Sequence, residues 1–300
     1  MFWIVGSLVG VVVAIIIWFY IPYSPVKCSF EKSVNKKIKK SKKQSGFFTK
    51  EEISYLPRPV QKYFGYAGFL GKRKMSYMKA LYRDVDFLIS PDFPKLNIQY
   101  TQYNFVDEPE RLAYIDTKLI GIPFEGLDIF ESGEGAVKGV LGKAIPICNE
   151  EGLGLDQANL LSLLSESLLL PSLVLQDFIE WEEIDENHAK ATISYYGLKA
   201  SGIFTFDHNG AMLRFTTEDR ENVDSEGNVQ KVKWSIICGN YQERNGYTLP
   251  TTFQAVWHYD EGDRVYFDSQ NIEIEYGGFS ENKGDQKENP IIPINPRVVA

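Results

Sequence analysis

Residues 2–21 form a run of twenty without a charged side chain. A helix of that length spans roughly 30 Å, the thickness of a bilayer's hydrocarbon core. Thirteen of the twenty are Leu, Ile, Val or Phe. Each contributes about −0.3 to −0.6 kcal/mol to insertion, a sum of roughly −4 to −8 kcal/mol. Trp3 stands at one end, with Trp18, Tyr20 and Tyr23 at the other, where amphipathic rings prefer the headgroup zone. A cleaved signal peptide would need a basic start, a shorter apolar core and a small-residue cleavage site. Here no Lys or Arg precedes the run, and Trp18, Phe19 and Tyr20 occupy the place of the small residues. The residues before Cys28 match a lipoprotein cleavage box poorly. The pattern therefore predicts an uncleaved transmembrane helix over 2–21.

Charge divides the remainder. Residues 27–50 carry nine Lys against Glu31 alone, a sum of +8, so the −8 of the whole chain leaves −16 from residue 51 onward. An acidic domain repels phosphate backbones, which argues against nucleic acid as a partner. The lysines predict a solvated basic juxtamembrane linker over 22–48, drawn to anionic headgroups at about 1 kcal/mol per Lys. All of them follow the span, which by the positive-inside rule places the domain in the cytoplasm. Cys28, Cys148 and Cys238 have no metal-type spacing. Cys148 and Cys238 sit in apolar strand contexts and are expected as buried free thiols.

With 44% hydrophobic and 14% aromatic residues, the rest can bury a sizeable core, and its length suits a single β-rich globular domain over 49–276. A helix is expected over 49–66, N-capped by Thr49 and interrupted at Pro57 and Pro59. Alternation then predicts about five strands from residue 74 to 147, among them one carrying Met75, Tyr77, Leu81, Val85 and Phe87. A single long helix follows over 156–180, with Asp156 as N-cap, leucines around most of its circumference and a kink at Pro171. About six strands complete the domain to residue 276, with turns at 207–210, 225–228 and 244–246. The tail 277–300 has the composition of a disordered segment. No helical pattern of ten to fifteen residues separates consecutive strands, so the sheet is expected to be antiparallel. The fold class is α+β, mostly β. It is a strongly curved, half-barrel-like antiparallel sheet with a central leucine-rich helix, preceded by one N-terminal transmembrane helix.

Motifs for chemistry are missing. His188, His208 and His258 have no partner at metal-ligand spacing on a helix. There is no G-x-S-x-G elbow, phosphate-cradling loop or dinucleotide fingerprint, and no cofactor is implied. Glycosidase-like carboxylate pairs are left open, because their separation in space decides them. Glu166 stands among seven leucines, where an ionised carboxylate is costly unless paired. It occupies either a narrow polar face beside Ser162 and Ser165, or a buried position bonded to a Tyr or Arg of the sheet.

The string Leu56-Pro57-Arg58-Pro59-Val60-Gln61-Lys62-Tyr63-Phe64 resembles the opening signature of a family of uncharacterised bacterial membrane-associated proteins, a domain of unknown function. Residues 165–171 followed by Trp181, and 246–250 followed by Trp257, fit the same family. The resemblance covers roughly residues 50–276 and brings no activity with it. The expected architecture is also similar to the half-barrels of bacterial lipoprotein carriers, which would imply a lipid pocket and an extracytoplasmic domain, against the charge rule.

Two functions follow as expectations. One is a module binding a lipid or other apolar ligand at the membrane, with Trp234, Tyr241, Trp257, Tyr266 and Glu166 as ligand-facing residues. The other is an envelope hydrolase using two carboxylates. The anchor itself offers a face for homodimerisation, because Gly6, Gly10 and Ala14 stack about 6 Å apart along one side of a helix, and small residues let two backbones approach in lipid. Glycine is also common in membrane helices generally. An energy-transfer assay in membranes separates these readings. If the face packs, Gly10→Leu lowers the dimer signal and Val11→Leu leaves it intact, whereas equal signals from wild type and Gly10→Leu assign the glycines to composition.

Overall fold

The computed structural model describes residues 2–89, 94–223 and 229–280. Helix α1 (Phe2–Tyr20) buries none of its residues. It lies in the one helical stretch among the described residues long and apolar enough to cross a membrane.

The basic stretch that follows departs from a solvated linker, because most of it is helix α2 (Pro25–Lys40). Ser24 caps it, its side chain accepting from Lys27 N at 3.1 Å, and Pro25 supplies the fixed φ that suits a first turn. Phe30, Val34 and Ile38 recur every fourth residue and lie along one face. Phe30 and Val34 are buried against Tyr103, Phe105, Leu112 and Tyr114 of the sheet. The Phe30 ring stacks on Tyr114, with centroids 5.6 Å apart. Lys37 is buried too, bonded to Glu110 and 2.7 Å from Glu131. Abundant lysine hides this narrow apolar stripe from a compositional reading.

Between residues 49 and 57 the chain makes turns, and regular helix begins only at α3 (Arg58–Tyr66). Six strands follow, one more than expected: β1 (Tyr77–Phe87), β2 (Leu96–Phe105), β3 (Arg111–Leu119), β4 (Ile122–Glu131), β5 (Glu134–Leu141) and β6 (Ile145–Glu151). The leucine-rich segment is not one long helix. It comprises α4 (Leu153–Ser165), a 3-10 turn (Ser167–Leu169) and α5 (Pro171–Val174). Its break comes at Glu166, ahead of Pro171, which instead opens α5. Gly152, not Asp156, takes the N-cap position.

The second half holds β7 (Ile179–Glu183), β8 (His188–Tyr195), β9 (Leu198–Phe206), β10 (Met212–Thr217), β11 (Glu221–Val223), β12 (Val229–Lys231), β13 (Lys233–Arg244), β14 (Tyr247–Tyr259), β15 (Gly262–Ser269) and β16 (Ile272–Gly277). The turns at 207–210 and 244–246 are present, the latter with Asn245 and Gly246 both at positive φ. The turn at 225–228 and most of the tail, 281–300, lie outside the described residues.

Fourteen strands form one antiparallel sheet in the order β6-β5-β4-β3-β2-β1-β15-β14-β13-β10-β9-β8-β7, with β16 also on β1. The two ends of this order do not pair, so the sheet is an open half-barrel. β15 and β16 run in line beside β1, as the pairs Phe87↔Phe267 and Tyr77↔Gly277 show. Inner-face residues such as Trp234, Ile236 and Cys238 alternate with outward ones. The main core lies between that inner face, the α3 region and the α4–α5 segment. The smaller core under α2 covers the outer face of β2 and β3.

Phe30→Ala removes the main anchor of α2, and a buried Phe→Ala change costs about 3–5 kcal/mol. Chemical denaturation should show a loss of that order, with faster amide exchange confined first to α2. An unchanged midpoint would mean that α2 adds nothing to the domain's stability.

Candidate functional site

The polar groups of the interior converge where α4 ends. Glu166, 4% exposed, is the C-cap of α4 and points to the inner face of β2 and β3. Gln102 Nε2 and Asn104 Nδ2 both donate to its Oε2, the latter at 2.8 Å. Arg111 Nε lies 3.7 Å from the same oxygen. The Arg111 guanidinium also donates to Asp128 Oδ2 at 2.6 Å, to the Tyr100 hydroxyl at 2.5 Å and to Asn159 Oδ1 at 3.3 Å. Tyr100 in turn donates to Asp128 at 3.2 Å. One buried cation thus serves two carboxylates.

Alternation places this set. Tyr100, Gln102 and Asn104 sit at every second position of β2, and Arg111 begins β3 opposite Asn104. Burial pushes the Glu166 carboxyl above its ordinary range, against the opposing pull of Arg111 and the two amides. The nearby Cys238 thiol is pushed up to about 12, first by burial and then by Glu166. Of the two positions open to Glu166, the buried one bonded to the sheet is the one it takes, with Arg111, Gln102 and Asn104 as partners. No sequence motif singled out those three. Their signal is faint: polar residues recurring with period two inside an apolar strand.

A second cluster joins α4 to the far strands. Trp234, Trp257 and Tyr266 come together, Trp234 Nε1 donating to the Tyr266 hydroxyl at 3.1 Å and Trp257 stacking on Tyr266. The two indoles face Arg220, whose guanidinium lies 4.4 Å from the Trp234 ring and 5.7 Å from Trp257. Arg220 donates to Ser162 Oγ at 2.9 Å and to the Ala158 carbonyl at 3.2 Å, both on α4. Tyr241 lies elsewhere, edge-on to Tyr66 and bonded to the Met212 carbonyl at 2.7 Å. At the start of α4, the Asp156 carboxylate accepts from Gly135 N at 2.6 Å. A Cβ on Gly135 would lie 2.9 Å from the Leu155 carbonyl, so only glycine lets α4 sit this close to β5.

The three histidines stand apart from both clusters. His208 is exposed in its turn, and His188 bonds Asp185. His258 bonds Asp263 through Nδ1 at 2.6 Å and Ser235 through Nε2 at 2.9 Å. That order matches a Ser-His-Asp relay, but Ser235 is fully buried and also bonded to Thr216 at 3.0 Å. It presents no nucleophile to a substrate. Among the described residues no group of three or more His, Cys, Asp or Glu is placed to hold a metal. Cys238 is buried as expected, whereas Cys148 is only half-buried.

Beyond α4 the inner face is only partly covered. From Arg111 and Ala113 inward, the alternation of β3 brings Ile115 and Leu119 to the same side, and pairing adds Ile122, Phe124, Leu141 and Ile145. All of these are half-buried except Ile145, which is exposed. They form an apolar strip on β3–β6.

Arg111→Met leaves Glu166 and Asp128 without their cation, and breaking a buried pair in this way costs about 3–5 kcal/mol. The native pKa of Glu166 is raised, so between its ordinary and raised values the native state binds more protons than the unfolded chain. Stability therefore falls as pH rises through that window, and Glu166→Gln abolishes this decline. Denaturation midpoints across the acid range check both outcomes; a pH profile identical in wild type and Glu166→Gln would contradict the second.

Comparison with known proteins places the chain in context. No curated protein matches it. A domain from Vibrio parahaemolyticus, described as outer membrane lipoprotein-sorting, aligns at TM-score 0.34 and 9% identity over 67% of this chain and 84% of its own. A LolA superfamily protein from Nitrosomonas europaea aligns at 0.34 and 11% over 72% and 91%. A DUF1329 family protein from Desulfovibrio piger aligns at 0.36 and 11% over 85% and 94%. One family, described as a family of unknown function (DUF6544), matches residues 46–269, and the chain belongs to it.

Proposed function

We propose that this protein is a membrane-anchored module that holds a lipid or another apolar ligand on the inner face of its half-barrel. The observation that carries the reading is the strip of Leu119, Ile122, Phe124, Leu141 and Ile145, which the α4–α5 segment leaves partly exposed. Concave apolar surface with a few polar groups nearby is the usual character of a small-molecule site. Exposed apolar surface on a membrane protein near its anchor is also where acyl chains lose least by leaving the bilayer.

The deep half of the inner face is filled by leucine, with Leu160, Leu161, Leu163 and Leu164 all fully buried. The Trp234 and Trp257 rings already face Arg220, and Tyr266 is taken up by the two indoles. A ligand reaching them must first displace that guanidinium, so the proposal places its apolar part on β3–β6. Glu166 then acts by holding the leucine segment against the sheet and does not contact the ligand. The Glu166 cluster does not favour the alternative of a carboxylate-pair hydrolase, because Glu166 and Asp128 meet through one guanidinium and do not face each other across a cleft.

Native mass spectrometry after mild extraction tests the reading. The wild-type chain should carry a lipid-sized adduct, and Phe124→Glu, which charges a half-buried position of the strip, should remain folded and lose it. A wild-type protein that is uniformly ligand-free would overturn the proposal.

A further inference from the structure

The C-terminal end of α1 is tied to the β-domain at one place. Trp18 Nε1 donates to the Gly142 carbonyl at 2.8 Å. Lys143 Nζ donates to the Ile21 carbonyl at 2.6 Å and reaches the Trp18 carbonyl at 3.5 Å. A cation there complements the negative end of the helix dipole and satisfies its orphan carbonyls. A Cβ on Gly142 would lie 3.2 Å from the Phe19 ring, so the span and the turn between β5 and β6 are in close contact. Gly142 N also donates to the Pro123 carbonyl at 2.7 Å. The β5–β6 turn is thereby joined to the base of the β3–β4 hairpin, whose tip is Ile120 and Gly121.

Both turns therefore sit level with the last turn of the span, where hydrocarbon gives way to headgroups. Apolar side chains are exposed at this level: Ile120 is 95% exposed and Ile145 61%. Ile120 also has φ +50°, a conformation costly for a β-branched residue. Polar Asn or Gly would serve a solvated tip better. Among the described residues β6 is an edge strand with an unpaired side, a feature soluble domains ordinarily protect with charge or cover. Exposed Lys118 stands beside the tip, as suits anionic headgroups.

We infer that the β3–β4 tip and the start of β6 enter the headgroup–acyl boundary of the bilayer that α1 crosses. The occupant is phospholipid, because this apolar surface is continuous with a lipid-facing helix. The domain then has a second membrane contact and lies against the bilayer in one orientation. This holds whether or not the inner face takes a ligand.

The test uses the full chain in vesicles of phosphatidylethanolamine and phosphatidylglycerol, with Cys28→Ser and Cys148→Ser as background. An environment-sensitive dye is placed at Ile120→Cys, at Ile145→Cys and, as a control, at Ser132→Cys. Ser132 lies at the opposite end of β4, about 30 Å away by strand rise. Lipid carrying a shallow spin label should quench the first two probes severalfold more than the third, and aqueous iodide should do the reverse. Equal iodide quenching at all three positions would overturn the inference. Protection from iodide without quenching by lipid would put a second protein copy at the tip, and would overturn it too. Ile145→Cys carries the test alone if Ile120→Cys does not fold.

Discussion

An open antiparallel sheet presents every second side chain on its inner face, and a face of that size left against water would not hold its curvature. In this protein the α4–α5 segment meets that demand. Eight of its leucines are buried to 1% exposure or less, and each contributes about 1.5–3 kcal/mol on leaving water. That sum far exceeds the several kcal/mol needed to bury a carboxylate. The Glu166–Arg111 cluster therefore need not add net stability. Its effect is positional: a leucine surface can slide by a turn at little cost, whereas a carboxylate received by Gln102, Asn104 and Arg111 has one register. Asp156 at one end of α4 and Arg220 along its side add further fixed points.

The sheet is not amphipathic throughout. On β2 and β3 the outer face is also apolar, with Tyr103, Phe105, Leu112 and Tyr114 covered by α2. Because α2 follows α1 after only four residues, the same helix that covers this face holds the domain near the end of α1. Lys143 reinforces the link from the other side of the molecule's chain order, binding the carbonyls that end α1. The end of α1 is thus tied into the domain's own architecture.

Much of the scaffold was legible from sequence. Antiparallel strands without intervening helices, the leucine-rich interruption and the turn at 244–246 all follow from local alternation and turn chemistry, which act over a few residues. Boundaries were less legible. The leucine segment reads as one helix because its composition is uniform, yet it breaks at Glu166, where a side chain must turn to reach the sheet. The basic stretch reads as solvated because charge outnumbers the three residues that dock it. Arg111, Gln102, Asn104 and Arg220 carried no motif, since each acquires its role in part from partners that only the fold brings near, such as Asn159 for Arg111 and Ser162 for Arg220.

What the sequence determined by itself was the long apolar N-terminal helix, the mostly β antiparallel class and the burial problem posed by Glu166, because hydropathy, period and desolvation cost are properties of short segments. Tertiary structure alone decided which aromatic residues meet, and that Trp234 and Trp257 face Arg220. It also decided that α2 docks, that Glu166 and Asp128 share a guanidinium, and that an apolar strip on β3–β6 lies beside the end of α1. Each of these depends on strand order and register across the sheet, and register is set by the closure of the whole inner face around its leucine core.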